Sequence, residues 1–194
     1  DVVISSRVRL ARNLQGFPFP ARASGPQLEE VLSQVGGAAG ITKIPFRLRR
    51  LEDMEPLDRL VLVEKHLISP QFADHIEHRA AILREDEAVS IMVNEEDHLR
   101  IQTILPGLQL SAAWRLADEI DDLLEHRLQY AFEERNGYLT ACPTNVGTGM
   151  RASVMLHLQA LIMIDQARKV LSALANLGFN LRGLYGEGSE SHGG

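Results

Sequence analysis

The stretch AVSIMVNEEDHLRIQTIL, residues 88–105, sets two apolar β-type segments, Val89–Val93 and Leu99–Leu105, on either side of an acidic centre. The centre, Asn94 to Asp97 with His98 behind it, reads as a turn or bulge. Three consecutive carboxylates repel one another and β segments generally avoid Asp and Glu, so a purely structural role is the poorer account of them. A metal site is a weak reading, because adjacent positions point in different directions. A carboxylate pair that grips a cation and accepts its proton fits better, and His98 alone reads as structural.

Outward from that pair, period-two alternation predicts a strand in VISSRVRLA, where Arg7 and Arg9 project from one face. A helix is predicted from Ser24 as N-cap, with Pro26 near its first position, to a close on Gly36 and Gly37. Further helices are expected over 56–67, over 70–81 and, most clearly, from Ser111 to Phe132, where Ala113, Ala117, Ile120, Leu124 and Leu128 fall near one buried face. YLTACP and RASVMLHL, 138–143 and 151–158, read as strands around a loop. A last helix over 165–178 carries Ala167, Val170, Leu171, Leu174 and Leu177 on one side and ends at Gly178, and FNLRGLY, 179–185, closes as a strand before a glycine-rich tail. About six strands and five helices in this irregular order favour an α+β fold: a largely antiparallel sheet flanked by helices, in one domain spanning 1–194.

Composition narrows the function. A chain of 194 residues with 45% hydrophobic and 24% charged residues is an ordinary globular protein. No apolar run approaches the roughly 18–20 residues that span a bilayer, and the first residues lack a signal-peptide pattern, so the expected place is the cytoplasm. The net charge of −6 argues against general nucleic-acid binding. Within that balance the charges segregate: Arg7, Arg9 and Arg12 crowd one end, while acids collect at 84–87 and 94–97, a pattern suited to a small anion. The single cysteine, Cys142, excludes an internal disulfide and a cysteine zinc site.

Several signatures are missing: a P-loop, H-E-x-x-H, G-x-S-x-G and the protein-kinase set. If a nucleotide binds, arginine forks must hold its phosphates. Arg7 and Arg9 are either a solvated strand face or a phosphate clamp. Cys142, in CPTNVGTGMRAS, is either a small buried hydrophobe or a thiolate steadied by a nearby cation, which could be the substrate.

SSRVRLAR, VNEEDHLRIQ, CPTNVGTGMRASV and RGLYGEGSE stand in the order and approximate spacing of the ATP:guanidino phosphotransferases, the phosphagen kinases. The chain resembles that family over nearly its whole length, and within it the bacterial branch that phosphorylates protein arginines. The resemblance implies the guanidino kinase catalytic fold, a glutamine-synthetase-like antiparallel sheet. It implies ATP and Mg²⁺, with Arg7, Arg9, Arg100, Arg151 and Arg182 around the phosphates and His66 near adenine and ribose, and no metal ligand from the protein. Glu96, Glu187 and Cys142 match the groups that surround the reactive guanidinium.

By the same resemblance, the expected activity is transfer of the ATP γ-phosphate to arginine side chains of proteins, marking them for a Clp protease in the stress response. Expected partners are protein substrates, a zinc-containing activator protein, a heat-shock repressor and a Clp ATPase, with a homodimer compatible. The alternative is a phosphagen kinase acting on free arginine, disfavoured because the family's preceding helical domain is not in this sequence. A third reading is a non-catalytic module that holds phosphorylated ligands. The sequence departs from the family pattern at Gln159, where proline is usual, and in SESHGG, and it stops where the family continues.

Overall fold

A computed structural model describes residues 2–181. Arg182, Glu187 and most of the expected closing strand therefore lie outside the described residues. The described chain runs β1 (Val3–Arg12), α1 (Gly25–Ile41), β2 (Phe46–Arg50), α2 (Pro56–Glu64), α3 (Pro70–Asp74), β3 (Ala80–Arg84), β4 (Val89–Val93) and β5 (Leu99–Pro106). It continues with α4 (Leu110–Glu125), a short hairpin of β6 (Phe132–Glu133) and β7 (Gly137–Tyr138), β8 (Met150–Leu156), α5 (Gln159–Met163) and α6 (Ala167–Asn176). Six strands form one sheet in the order β2-β3-β4-β5-β1-β8, and every pairing in it is antiparallel. The α+β expectation holds.

The two faces of this sheet differ. Val8, Leu10, Ile82, Ile91, Leu99 and Ile101 point to one face, where α1 and α4 cover them and build the main core. The other face is covered at the β3–β4 end by α2, α3 and the segments around them, with Phe72 fully buried among Ala81, Leu83 and Met92. Over β5, β1 and β8 that second face carries Arg100, Arg7, Arg9 and Arg151. Alternation along β1 thus makes one strand serve both core and site.

Helix α4 follows the predicted stripe: Ala113, Ala117, Ile120 and Leu124 are buried against β1 and β5. It stops at Glu125, earlier than expected, yet Leu128 stays buried because the amides of Arg127 and Leu128 bond back to Leu124. From α4 Asp121 meets Arg12, the last residue of β1, whose side chain faces the opposite way from Arg9. The Arg12 Nε and Nη2 donate to Asp121 Oδ2 at 3.0 and 2.5 Å, with the two side chains 4% and 7% exposed. The Arg12 guanidinium also sits 3.5 Å from the Tyr138 ring centroid and donates to Thr148 O. Arg12 is therefore a structural tie and no part of the arginine cluster on the other face.

Four expectations need correction. The helix expected over 70–81 ends at Asp74, and Ala80–Arg84 is a central strand. Buried on both faces, its AAIL run shows no alternation, which hid it. β2 was not foreseen, because its FRLRR sequence is an edge strand whose arginines pair outward with Glu85, Asp58 and Glu29. Helix α1 runs through Gly36 and Gly37 to Ile41; a Cβ at Gly36 would lie 2.8 Å from Leu48 Cδ1, so that glycine permits close helix–sheet packing instead of ending the helix. YLTACP is strand only at Tyr138, since the Ala141 amide is taken by a side chain and Thr140 bonds back to Cys142 O.

The final helix forms as predicted, but among the described residues its apolar stripe is only partly covered, with Val170 and Leu177 exposed. α5, not foreseen, begins at Gln159, a first helical position that proline would also suit.

Replacing Asp121 with Ala leaves the buried Arg12 charge unpaired, which costs about 3–5 kcal/mol. Urea unfolding should show that loss, whereas Glu85→Ala at the exposed Arg47 pair should leave the midpoint almost unchanged.

Candidate active site

Register brings the arginines together. On β1, Arg9 lies directly opposite Arg151 of β8, and Arg7 opposite Ser153, to which it donates at 3.4 Å. On the other side of β1, Arg100 of β5 pairs with Ala11, one step along the same face from Arg9. Four guanidiniums thus share one patch of sheet. Burial and then the neighbouring Arg7, Arg100 and Arg151 charges push the Arg9 guanidinium down to about 9. Burial and Arg100 lower Arg7 likewise. Such crowding is costly without an anion and becomes favourable with one.

His66 lies at the Arg7 end. Its backbone is left-handed, φ 58°, its carbonyl accepts from Gln102 Nε2 at 2.7 Å, and burial followed by the Arg7 charge lowers its pKa. At the far end lies the β4–β5 turn, entered through Asn94 at φ 63° and closed by Asn94 N to His98 O at 3.0 Å. The turn divides its three carboxylates. Glu95 binds Arg100 and Ser69. Asp97 accepts from Asn13 Nδ2 at 2.6 Å and from Ala141 N at 2.7 Å, tying the turn to β1 and to the cysteine loop.

Glu96 is exposed, and among the described residues it has no hydrogen-bond or ion-pair partner. Burial first, then the Asp97 and Glu95 charges, raises its pKa. His98 is structural, as expected: Nδ1 accepts from Leu14 N and Nε2 faces Pro18 O, each at 3.0 Å, and burial lowers its pKa.

Cys142 is half-buried and caps a short turn at Pro143–Asn145. Its Sγ lies 3.0 Å from Thr144 Oγ1, which accepts from Arg151 Nη2 at 2.7 Å. A pocket bounded by Arg9, Arg100, Arg151, Glu95, Glu96 and Asp97 is closed by Asn145 and Gly149. Sequence reasoning did not single out Asn145, whose Oδ1 is buried without a partner, or Thr144. It also passed over Gly149, where φ is +64° and a Cβ would lie 2.6 Å from Ala11 O, so only glycine lets the loop reach β1. The polar, glycine-spaced sequence TNVGTG was the available signal.

Residues 27–194 match the model of the ATP:guanido phosphotransferase C-terminal catalytic domain. The chain belongs to this family. It is 57% identical to a protein-arginine kinase of Symbiobacterium thermophilum and 56% identical to one of Moorella thermoacetica, in each case over 100% of this chain. It spans 56% and 57% of those two proteins, a little over half their length. Among solved structures, the duplicated taurocyamine kinase of Schistosoma mansoni with bound transition-state-analogue components superposes with TM-score 0.89. That match is 31% identical and covers 98% of this chain and 28% of that one. A lombricine kinase gives TM-score 0.81 at 26% identity, over 98% of this chain and 56% of that one. The expected guanidino kinase fold is therefore the observed one. Among the described residues no helix is long and apolar enough to cross a membrane.

Two outcomes follow from the geometry. Millimolar phosphate should raise the melting temperature, and Arg9→Gln should raise the anion-free melting temperature while removing most of the phosphate effect. For Glu96, the folded pKa is raised, so its contribution to stability is present below the unfolded value and lost as pH rises through the folded one. Glu96→Gln, neutral throughout, should thus be the more stable form at pH 7 by urea titration, with the gap closing toward pH 4.

Proposed function

We propose that this chain is the catalytic part of a protein arginine kinase that transfers the γ-phosphoryl group of ATP to arginine side chains of proteins. The observation that carries the reading is the turn at 95–97, which commits Glu95 and Asp97 internally and leaves Glu96 open in a pocket shared with Arg9, Arg100 and Arg151 and closed by the loop that follows Cys142. The names of the relatives support protein arginine as the acceptor.

The phosphates would lie along Arg7, Arg9, Arg100 and Arg151, with the nucleoside toward His66. The crowded cationic patch fits them, because polyphosphate neutralises charges that otherwise repel. Mg²⁺, entering with ATP, would neutralise the β- and γ-oxygens further. A substrate guanidinium, protonated at neutral pH, is a poor nucleophile. Glu96 would hold it by two hydrogen bonds, align one nitrogen with the γ-phosphorus and take its proton. As the N–P bond forms, the bond from phosphorus to the β-bridging oxygen breaks and ADP leaves with that electron pair. A raised Glu96 pKa favours accepting that proton. Cys142 Sγ would lie against the same cation, and Thr144 would orient both the thiol and Arg151.

By family resemblance, Arg182 and Glu187 would add a phosphate contact and a second carboxylate. A zinc-containing activator, a heat-shock repressor and a Clp ATPase would be partners on the same ground.

Incubation with Mg·ATP and an unfolded basic protein should place acid-labile phosphate on arginine, detectable by mass spectrometry. Glu96→Gln should lower the rate by about a hundredfold or more. Product from free L-arginine alone would instead identify a phosphagen kinase.

A further inference from the structure

Glu96 and Cys142, the two groups proposed to meet the acceptor guanidinium, are next neighbours of the two ends of one hydrogen bond. Ala141 N donates to Asp97 Oδ1 at 2.7 Å, across 44 residues of chain. Glu96 immediately precedes one partner and Cys142 immediately follows the other.

That bond belongs to a buried joint built on Asn13, the residue that follows β1. Asn13 Nδ2 donates to the same Asp97 Oδ1 at 2.6 Å and to Leu139 O at 3.0 Å, and Asn13 Oδ1 accepts from His98 N at 2.9 Å. His98 holds the other side, since its Nδ1 accepts from Leu14 N and its Nε2 faces Pro18 O. Asn13, Asp97 and His98 are 2%, 3% and 0% exposed. One side chain, Asn13, thus joins the end of β1, the acidic turn and the segment that leads to Cys142. Thr140 donates to Cys142 O at 2.8 Å, which extends the hold to the cysteine itself.

A buried carboxylate is a costly fastener. Burial raises the Asp97 pKa in spite of the bonds from Ala141 and Asn13. Apolar side chains could hold the same segments together, but a fully bonded polar network also fixes their spacing and direction. The arginine patch does not need this joint, because the pairing of β1 with β5 and β8 places Arg7, Arg9, Arg100 and Arg151. What the joint adds is a fixed relation between Glu96, Cys142 and the strand that carries Arg7 and Arg9.

We propose that Asn13 and Asp97 are positioning residues, whose joint sets the gap between Glu96 and Cys142 and so aligns the acceptor nitrogen with the phosphate held on β1. The proposal rests on the kinase reading above. Asn13 acts through Asp97, and Asp97 through its neighbours Glu96 and Ala141.

The test compares Asn13→Asp, which keeps the volume but sets two carboxylates against each other, with the same change combined with Asp97→Asn, which puts a donor back between them. For an arginine-containing peptide, Asn13→Asp should lower kcat on the order of tenfold or more while the Kd for Mg·ADP stays within about twofold, and the double variant should recover most of kcat. A role confined to stability would lower the melting temperature and leave kcat of the folded enzyme unchanged. That result overturns the proposal, as does a loss of Mg·ADP affinity in step with kcat or a double variant no better than the single one.

A second arm needs no phosphoryl transfer. Cys142 is the single cysteine of the chain, so its rate of reaction with a cationic methanethiosulfonate, divided by the rate with a neutral one, reports the carboxylate beside the thiol. Glu96→Gln should lower this ratio by about threefold, and Asn13→Ala, which removes no charge, should lower it as far. If the unaltered protein forms no phosphoarginine, the kinase reading fails while this arm still decides the joint. A ratio that Glu96→Gln lowers and Asn13→Ala leaves unchanged overturns the proposal, and so does a ratio that neither alters.

Discussion

Strand β1 is hydrogen-bonded along both edges, to β5 and to β8, and its register against them decides the rest of the molecule. Side chains alternate, so holding Val8 and Leu10 in the main core forces Arg7 and Arg9 onto the opposite face. The same register sets Arg151 across from Arg9 and Arg100 one step away. A slip of one residue would drive both arginines into the apolar layer under α4, which makes the arrangement strongly specified. The main hydrophobic core thus fixes the geometry of a charged site on the opposite face of the sheet.

That geometry is electrostatically unfavourable by itself. Burial and mutual repulsion push Arg9 down to about 9, and the nearby carboxylates do not cancel this, because Glu95 pairs with Arg100 while Asp97 is spent on Asn13 and the Ala141 amide. The strain is tolerable because stability is supplied elsewhere, by two apolar clusters and the buried Arg12–Asp121 pair. The positive charges are therefore held in place by the fold, as the proposed binding of phosphate would require.

The turn between β4 and β5 separates roles that look equivalent in the sequence. Glu95, Glu96 and Asp97 are consecutive acids, yet one braces an arginine, one fastens the cysteine loop and one remains open. Left-handed Asn94 aims the turn, and Asp97 joins it to Asn13 and Ala141, where the loop carrying Cys142 and Thr144 leads on to Arg151 of β8. Glu95 also lines a second cavity, beside α1 and the loop that follows α3, so the turn forms a wall of two pockets at once.

By itself, the sequence determined the antiparallel α+β class, the strands β1, β4 and β5, the buried stripe of α4 and the arginines of the patch. These depend on local periodicity and on motifs read along one segment. It did not disclose β3, whose burial on both faces erases alternation, or β2, whose arginines disguise an edge strand. Nor could it say that Arg12, two positions beyond Leu10, leaves the cluster to pair with Asp121, or that Gly149 must lack a side chain to approach Ala11. Tertiary structure decided these, and with them which of three adjacent carboxylates stays open, because each depends on a partner brought close only by the sheet register and by the packing of α4.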